Sequence, residues 1–201
     1  MSACLDKQLH SLVCIRLDLA QNEVVVGADN APPPIYIQAP RSTYLPTLAE
    51  EAFKSFQHAM LASTTAAQPW FEHRHLPLKW HHPLGVLYDL HSRLGDTIWE
   101  LTVHFRDFPE RLLLQYSESS MEANFFMSLK EAAFVCLRSS SVVQNLGASA
   151  HTSLWTALLQ WNTDKLTAVT SDRLADIRPK RDRDLIPLRL LLTGGTLGNT
   201  G

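Results

Sequence analysis

The sequence predicts an α+β fold, and three observations carry that reading. Val13, Ile15, Leu17 and Leu19 alternate with Cys14, Arg16, Asp18 and Ala20, the period of a strand with one buried face. Leu48, Ala52, Phe53, Phe56 and Met60 form a helical stripe after Pro46. Beyond Pro109 the strand pattern stops and two long helical segments follow.

In chain order, the first strand ends at a turn on Gln21 and Asn22. Val24 to Val26 and Ile35 to Ile37 are β-branched or aromatic and flank GADNAPPP, a stretch dense in turn residues, which predicts a second strand and a hairpin. Pro46 suits the first helical position, where its missing N–H costs nothing, and the helix it opens should cover one face of that hairpin. Trp70 to Glu72 and Leu78 to Trp80 read as two short strands. Pro83 opens a helix carrying Leu84, Leu87, Tyr88 and His91, and Trp99 to Phe105 is a strand with Leu101, Val103 and Phe105 on one face. The order ββαββαβ is that of a ubiquitin-like β-grasp, a sheet wrapped on one helix.

Met121 to Arg138 and His151 to Lys165 read as helices joined by the Ser/Gly-rich SSSVVQNLGAS. DIRPKRDRD, polar and alternating in charge, reads as a linker or solvated loop. Leu185 to Leu192 is a nearly unbroken apolar strand followed only by GGTLGNTG, with no partner strand to complete a sheet. The expected organisation is a β-grasp domain over 1–112, a helix-rich region over 113–180, and a linker, strand and tail over 181–201.

Composition narrows the function. A net charge of -2 gives no broad basic field, against electrostatic binding of nucleic acid. Cys4, Cys14 and Cys136 lack the spacing of a zinc site and read as reduced thiols of a cytosolic protein, with Cys14 and Cys136 buried. No apolar run approaches the roughly 18 residues of a membrane span. His73, His75, His81 and His82 invite a metal reading, but no cysteine or spaced carboxylate accompanies them, and they read as polar faces of strands. GxSxG, HExxH, GxGxxG and Walker patterns are all missing, so the expectation is no catalytic residue, no cofactor and no metal.

The helix around Lys130 is the most informative stretch. Met121, Phe125, Leu129, Ala132 and Cys136 fall on one stripe at helical spacing and are expected to face the core. Lys130 would then project from the opposite side, ringed by Phe126, Phe134, Leu137, Ala123 and Ala133. Such a residue is either a lysine reaching out from a buried helix or an acceptor site.

Four stretches together resemble the autophagy protein 5 family: APRSTYLP (39–46), WFEHRHLPLKWHHPLGVLYDL (70–90), WELTVHFRDFP (99–109) and NFFMSLKEA (124–132). The likeness continues weakly through LWTAL (154–158) and returns in LIPLRLLL (185–192). Leu9, Ser11 and Cys14 stand where the family opens with Trp, Gly and Pro, and Glu100 where Asn is common. The resemblance implies that Lys130 is a conjugation acceptor, joined by an isopeptide bond to the ubiquitin-like autophagy protein 12, with Phe126, Phe134 and Leu137 as candidates for its docking patch.

It further implies a chain that catalyses nothing itself. The E1-like autophagy protein 7 and the E2-like autophagy protein 10 would make the conjugate, which binds the coiled-coil autophagy protein 16. The conjugate would then promote transfer of autophagy protein 8 to phosphatidylethanolamine by the E2-like autophagy protein 3, in the cytoplasm and peripherally on the phagophore membrane. Family members carry a second ubiquitin-like domain, of which Leu185 to Leu192 is the first strand; that domain is expected to be incomplete here, and the coiled-coil partner's surface draws partly on it. A different reading is a free ubiquitin-like modifier activated at Gly201.

Overall fold

A computed structural model describes residues 11–25, 32–60, 68–93 and 95–174, apart from the side chains of 136, 137 and 169–174. Cys4, Leu9, Val26, the linker 176–184, the strand 185–192 and the glycine tail lie outside the described residues.

Five strands form one sheet: β1 (Leu12–Leu19), β2 (Ile35–Pro40), β3 (Trp70–His73), β4 (Leu76–Pro77) and β5 (Trp99–His104). Their order is β2-β1-β5-β3-β4. β1 and β5 run parallel at the centre, with Leu17 opposite Leu101. β1 pairs antiparallel with β2, Ile15 opposite Ile37, and β5 antiparallel with β3, Val103 opposite Phe71. These pairings give one apolar face, Val13, Ile15, Leu17, Ile37, Leu101, Val103 and Phe71. The opposite face is polar, where Arg16 bonds Asp18 at 3.1 Å and Glu100 at 3.3 Å.

A turn of 3-10 helix, Leu45–Leu48, leads into α1 (Ala49–Phe56), and Pro46 sits in its first turn as expected. Leu45, Leu48, Ala52 and Phe56 are buried against the sheet, and burial of each large side chain contributes roughly 1.5–3 kcal/mol. The expected second strand is corrected in one part: the paired strand is Ile35–Pro40, whereas Val24 makes an isolated bridge with Met60. The strand expected at Leu78 to Trp80 is Leu76–Pro77 instead, because Arg74 and His75 both adopt positive φ (52° and 65°) and turn the chain back early. Leu78 still donates its N–H to the Phe71 carbonyl at 2.8 Å, and its side chain and that of Trp80 are buried.

α2 (Leu84–His91) follows Pro83. The first N–H groups of a helix have no partner within it. Here the loop 41–43 supplies acceptors: Leu84 N donates to the Thr43 carbonyl at 2.7 Å and Gly85 N to the Arg41 carbonyl at 2.8 Å. Arg41 returns a bond from Nη2 to the Gly85 carbonyl at 3.1 Å, pairs with Asp89, and lies over the Tyr88 ring. The stretches APRSTYLP and PLGVLYDL are thus two halves of one hydrogen-bonded junction.

Beyond β5 come α3 (Glu118–Leu137), α4 (Ser141–Gln144), α5 (Ala148–Leu159) and α6 (Thr163–Leu174). Ser117 and Ser120 form a capping box at the start of α3, and Arg138 ends it in the left-handed conformation at φ 61°. The connection expected between two helices contains the short α4, and the helix expected over 151–165 is two. Trp161 breaks it, with φ 56° and its indole N–H donating to Thr47 Oγ1 at 3.1 Å.

A methyl group at Gly85 would meet Arg41 Cβ at 2.7 Å and Arg41 Nε at 2.9 Å. Overpacking of this kind costs about 1–3 kcal/mol, more than the gain of roughly 1 kcal/mol from better helix propensity. Gly85→Ala should therefore lower the urea midpoint without changing the slope; an unchanged or higher midpoint would contradict the tight junction.

Candidate functional site

The helices enclose a second apolar cluster of Tyr44, Phe126, Ala133, Val143, Leu154, Trp155, Ala157, Leu158 and Leu166, with Met121, Phe125 and Leu129 at its margin. Tyr44 comes from the β-grasp loop and is 3% exposed. Its hydroxyl hydrogen-bonds with Ser128 and Asn124 of α3, and burial, only partly offset by those bonds, pushes its pKa up to about 12. Asn124 Nδ2 donates onward to the His81 carbonyl at 2.9 Å. The connection between the two regions is tied down as well: Trp80 Nε1 donates to the Leu114 carbonyl, and the Tyr116 hydroxyl to that of Pro69, each at 2.7 Å.

These ties set the rotation of α3. Phe126 is 5% and Ala133 6% exposed, while Ala132, expected in the core, is exposed. The buried face is therefore turned toward Lys130 relative to the expected stripe. The sequence did not fix this rotation because α3 carries apolar residues on nearly every side, and the choice among them is made by Tyr44, α5 and α6. Lys130 is exposed and lies at the rim of the buried face, and no hydrogen bond or ion pair among the described residues engages its Nζ. The apolar ring expected around it is accordingly incomplete. Phe126 and Ala133 turn inward; Phe134, at 55% exposure, stays outside together with Met127 at 58%. Leu137 and Cys136 have side chains outside the described set.

Beside Lys130 runs an open groove of about 490 Å³, lined by Ser119, Glu122, Ala123, Phe126, Met127 and Lys130 of α3 and by His151 of α5. His151 stacks on Phe126, ring centroids 3.5 Å apart and planes at 11°. Its Nδ1 is 3.4 Å from Glu122 Oε1. Sequence reading missed Glu122 and His151. Glu122, Phe126 and Lys130 recur every four residues, a signal that was available; the contact with His151 is tertiary and was not.

The expected histidine cluster is dispersed. His73 is buried rather than on a polar face, with Nδ1 2.7 Å from the Glu100 carbonyl and its ring beside Trp99. His75 is exposed, and His81 and His82 are half-buried near one another. Among the described residues no group of three or more His, Cys, Asp or Glu could hold a metal. Cys14 is half-buried and a free thiol.

The chain matches the family model for "Autophagy protein ATG5, UblA domain" over residues 9–105 and that for its "alpha-helical bundle region" over 118–172. The chain belongs to the autophagy protein 5 family. It is 38% identical over 134 residues to autophagy protein 5 of Oryza sativa subsp. japonica, covering 66% of this chain and 35% of that relative. To the Drosophila melanogaster relative it is 30% identical over 179 residues, covering 89% of this chain and 65% of the other. The chain thus spans between about a third and two thirds of the length of these curated relatives. A crystal structure of Kluyveromyces marxianus Atg5 superposes with a TM-score of 0.72 at 20% identity, over 86% of this chain and 69% of that one, a likeness of fold. The stretches 39–46, 70–90 and 124–132, all within the residues matched by the two family models, meet at Tyr44 and Gly85.

A second titratable cluster lies in the β-grasp domain, away from Lys130. Glu23 is 3% exposed and accepts backbone N–H bonds from Phe105 at 3.0 and 2.9 Å and from Arg106 at 3.1 Å. Burial raises its carboxyl above the ordinary range, against the pull of those bonds. His104 faces it, sandwiched against Trp70, and burial lowers the imidazole's pKa despite Glu72 nearby. Glu23→Gln would keep one oxygen for the Phe105 and Arg106 N–H groups but turn its amide NH2 against the Phe105 N–H, and cost about 1–3 kcal/mol. Because the folded carboxyl titrates above its unfolded value, its stabilising acid form is complete below about pH 4.3 and lost as pH rises through the elevated value. In urea titrations the parent chain's advantage over Glu23→Gln should therefore grow as pH falls through that interval; a constant difference would contradict it.

Proposed function

We propose that this chain is a non-catalytic acceptor in autophagosome formation, carrying the ubiquitin-like autophagy protein 12 on Lys130 through an isopeptide bond. The observation that carries this reading is the position of Lys130: exposed at the rim of a buried helix face, beside an open groove, within the family-like segment NFFMSLKEA. In the reaction, the neutral Nζ attacks the carbonyl carbon of a thioester that joins the modifier's C-terminal glycine to an E2 cysteine. A C–N bond forms, the C–S bond breaks, and the cysteine leaves as thiolate. The amine needs a clear approach for this, and the exposure of Lys130 supplies one.

The E1-like autophagy protein 7 and the E2-like autophagy protein 10 would load and transfer the modifier. A tethered modifier meets neighbouring side chains at a high effective concentration, so weak contacts suffice to seat it. Phe134 is suited to this, being exposed on the same helix one turn from Lys130, and Phe126, which is buried, is not. Joined to its modifier and to the coiled-coil autophagy protein 16, the chain would act as an E3-like factor. It would promote lipidation of autophagy protein 8 with phosphatidylethanolamine by the E2-like autophagy protein 3. The complex would be cytoplasmic and peripheral on the phagophore membrane.

The chain's lysines are Lys7, Lys54, Lys79, Lys130, Lys165 and Lys180, so the acceptor can be assigned by substitution. Reconstituted with E1, E2, modifier and ATP, the parent chain should give a conjugate band that Lys130→Arg abolishes. An undiminished band from Lys130→Arg would end this reading.

A further inference from the structure

The groove beside Lys130 holds an imidazole and a carboxylate that the acceptor reading leaves unused. Glu122, Phe126 and Lys130 follow one another at four-residue intervals, so they lie along one line of α3. A helical side chain leans over the turn that precedes it, which directs the stem of Lys130 over Phe126. The opposite wall of the groove is His151, flat on that same Phe126 ring. Phe126 is 5% exposed and cannot move aside, so it fixes the plane of the imidazole. Glu122 Oε1 lies 3.4 Å from Nδ1, where a carboxylate favours the tautomer protonated at Nδ1 and so leaves Nε2 to accept a proton. The two side chains keep 42% and 35% exposure, so an incoming thioester can reach them.

We propose that His151, oriented by Glu122, is the base that accepts the proton released when Lys130 Nζ attacks the thioester; this rests on the acceptor reading of Lys130. The nitrogen lone pair forms the C–N bond and the C–S electron pair leaves with the E2 cysteine. One N–H proton passes from Nζ to His151 Nε2 and then to solvent, so the imidazole is regenerated and no further reactant is needed. An acceptor chain that catalyses nothing else would thereby supply one catalytic group, His151, and one positioning group, Glu122. The titratable groups in the groove that face His151 are Glu122 and Lys130, both from α3, and α5 itself contributes none.

The test is single-turnover discharge of an E2-held modifier thioester onto the full chain, comparing the parent with His151→Gln, Glu122→Gln and Lys130→Arg. General-base catalysis contributes typically 10²- to 10⁴-fold, so His151→Gln should lower the maximal rate by about 10²-fold or more at an unchanged half-saturating chain concentration. The ratio of parent to His151→Gln rates should climb as the pH is raised, because only a neutral imidazole accepts a proton. Glu122→Gln, at the edge of the groove, should lower the rate by a smaller factor than His151→Gln. Parent-like rates in both variants across the pH series, with Lys130→Arg inactive, would overturn the role of His151 and leave the acceptor intact. Conjugation by Lys130→Arg would instead remove the acceptor reading. Should His151→Gln lose its cooperative thermal melt, Glu122→Gln decides: a parent-like rate and pH profile overturns the proposal.

Discussion

Tyr44 belongs by sequence to the β-grasp domain and by packing to the helices, and most of what positions the site depends on that double membership. A buried phenol left without partners costs about 1–3 kcal/mol, so its hydroxyl must be met inside the helical cluster. Ser128 and Asn124 meet it, and both lie on α3. Asn124 then reaches back to the His81 carbonyl, and Trp161 to Thr47, closing a ring of polar bonds around an apolar contact. Sliding or rotating α3 on the sheet would strip several buried polar groups at once, which is why the two cores share one register.

From that register follows the exposure of Lys130. Ser128 and Asn124 face Tyr44, Phe126 and Ala133 fall into the core, and the next position around the helix is the lysine. Phe126 thus serves two purposes. It fills the helical core, and its outer face seats His151 beside the amine. The same packing sorts the aromatic neighbours, leaving Phe134 outside and taking Phe126 in.

Much of this was legible from residues alone, where one periodicity dominated. β1 alternates cleanly and its neighbours read as short apolar runs, so the sheet was readable up to its details. Those details turned on backbone conformations that composition does not specify: positive φ at Arg74 and His75 displaced β4, and Trp161 split the last helical segment. α3 resisted for the opposite reason, being apolar on too many sides for a stripe to stand out. Lys130 stood out in the sequence as a lysine in a resembling motif, whereas the groove that His151 and Glu122 form beside it did not, because stacking across helices leaves no trace in local spacing. His73 looked like a surface residue of a histidine run and is a core residue beside Trp99, since its alternation with Phe71 on β3 put it near the edge of the buried layer.

Whether the loop and α3 hold each other is read most simply from a double-mutant cycle between Tyr44→Phe and Ser128→Ala, followed by urea denaturation of the full chain. Groups sharing a buried hydrogen bond couple by about 0.5–3 kcal/mol, and a value in that range is expected here. Additive single effects, with a coupling below about 0.3 kcal/mol, would show that the loop and α3 do not hold each other and would contradict it.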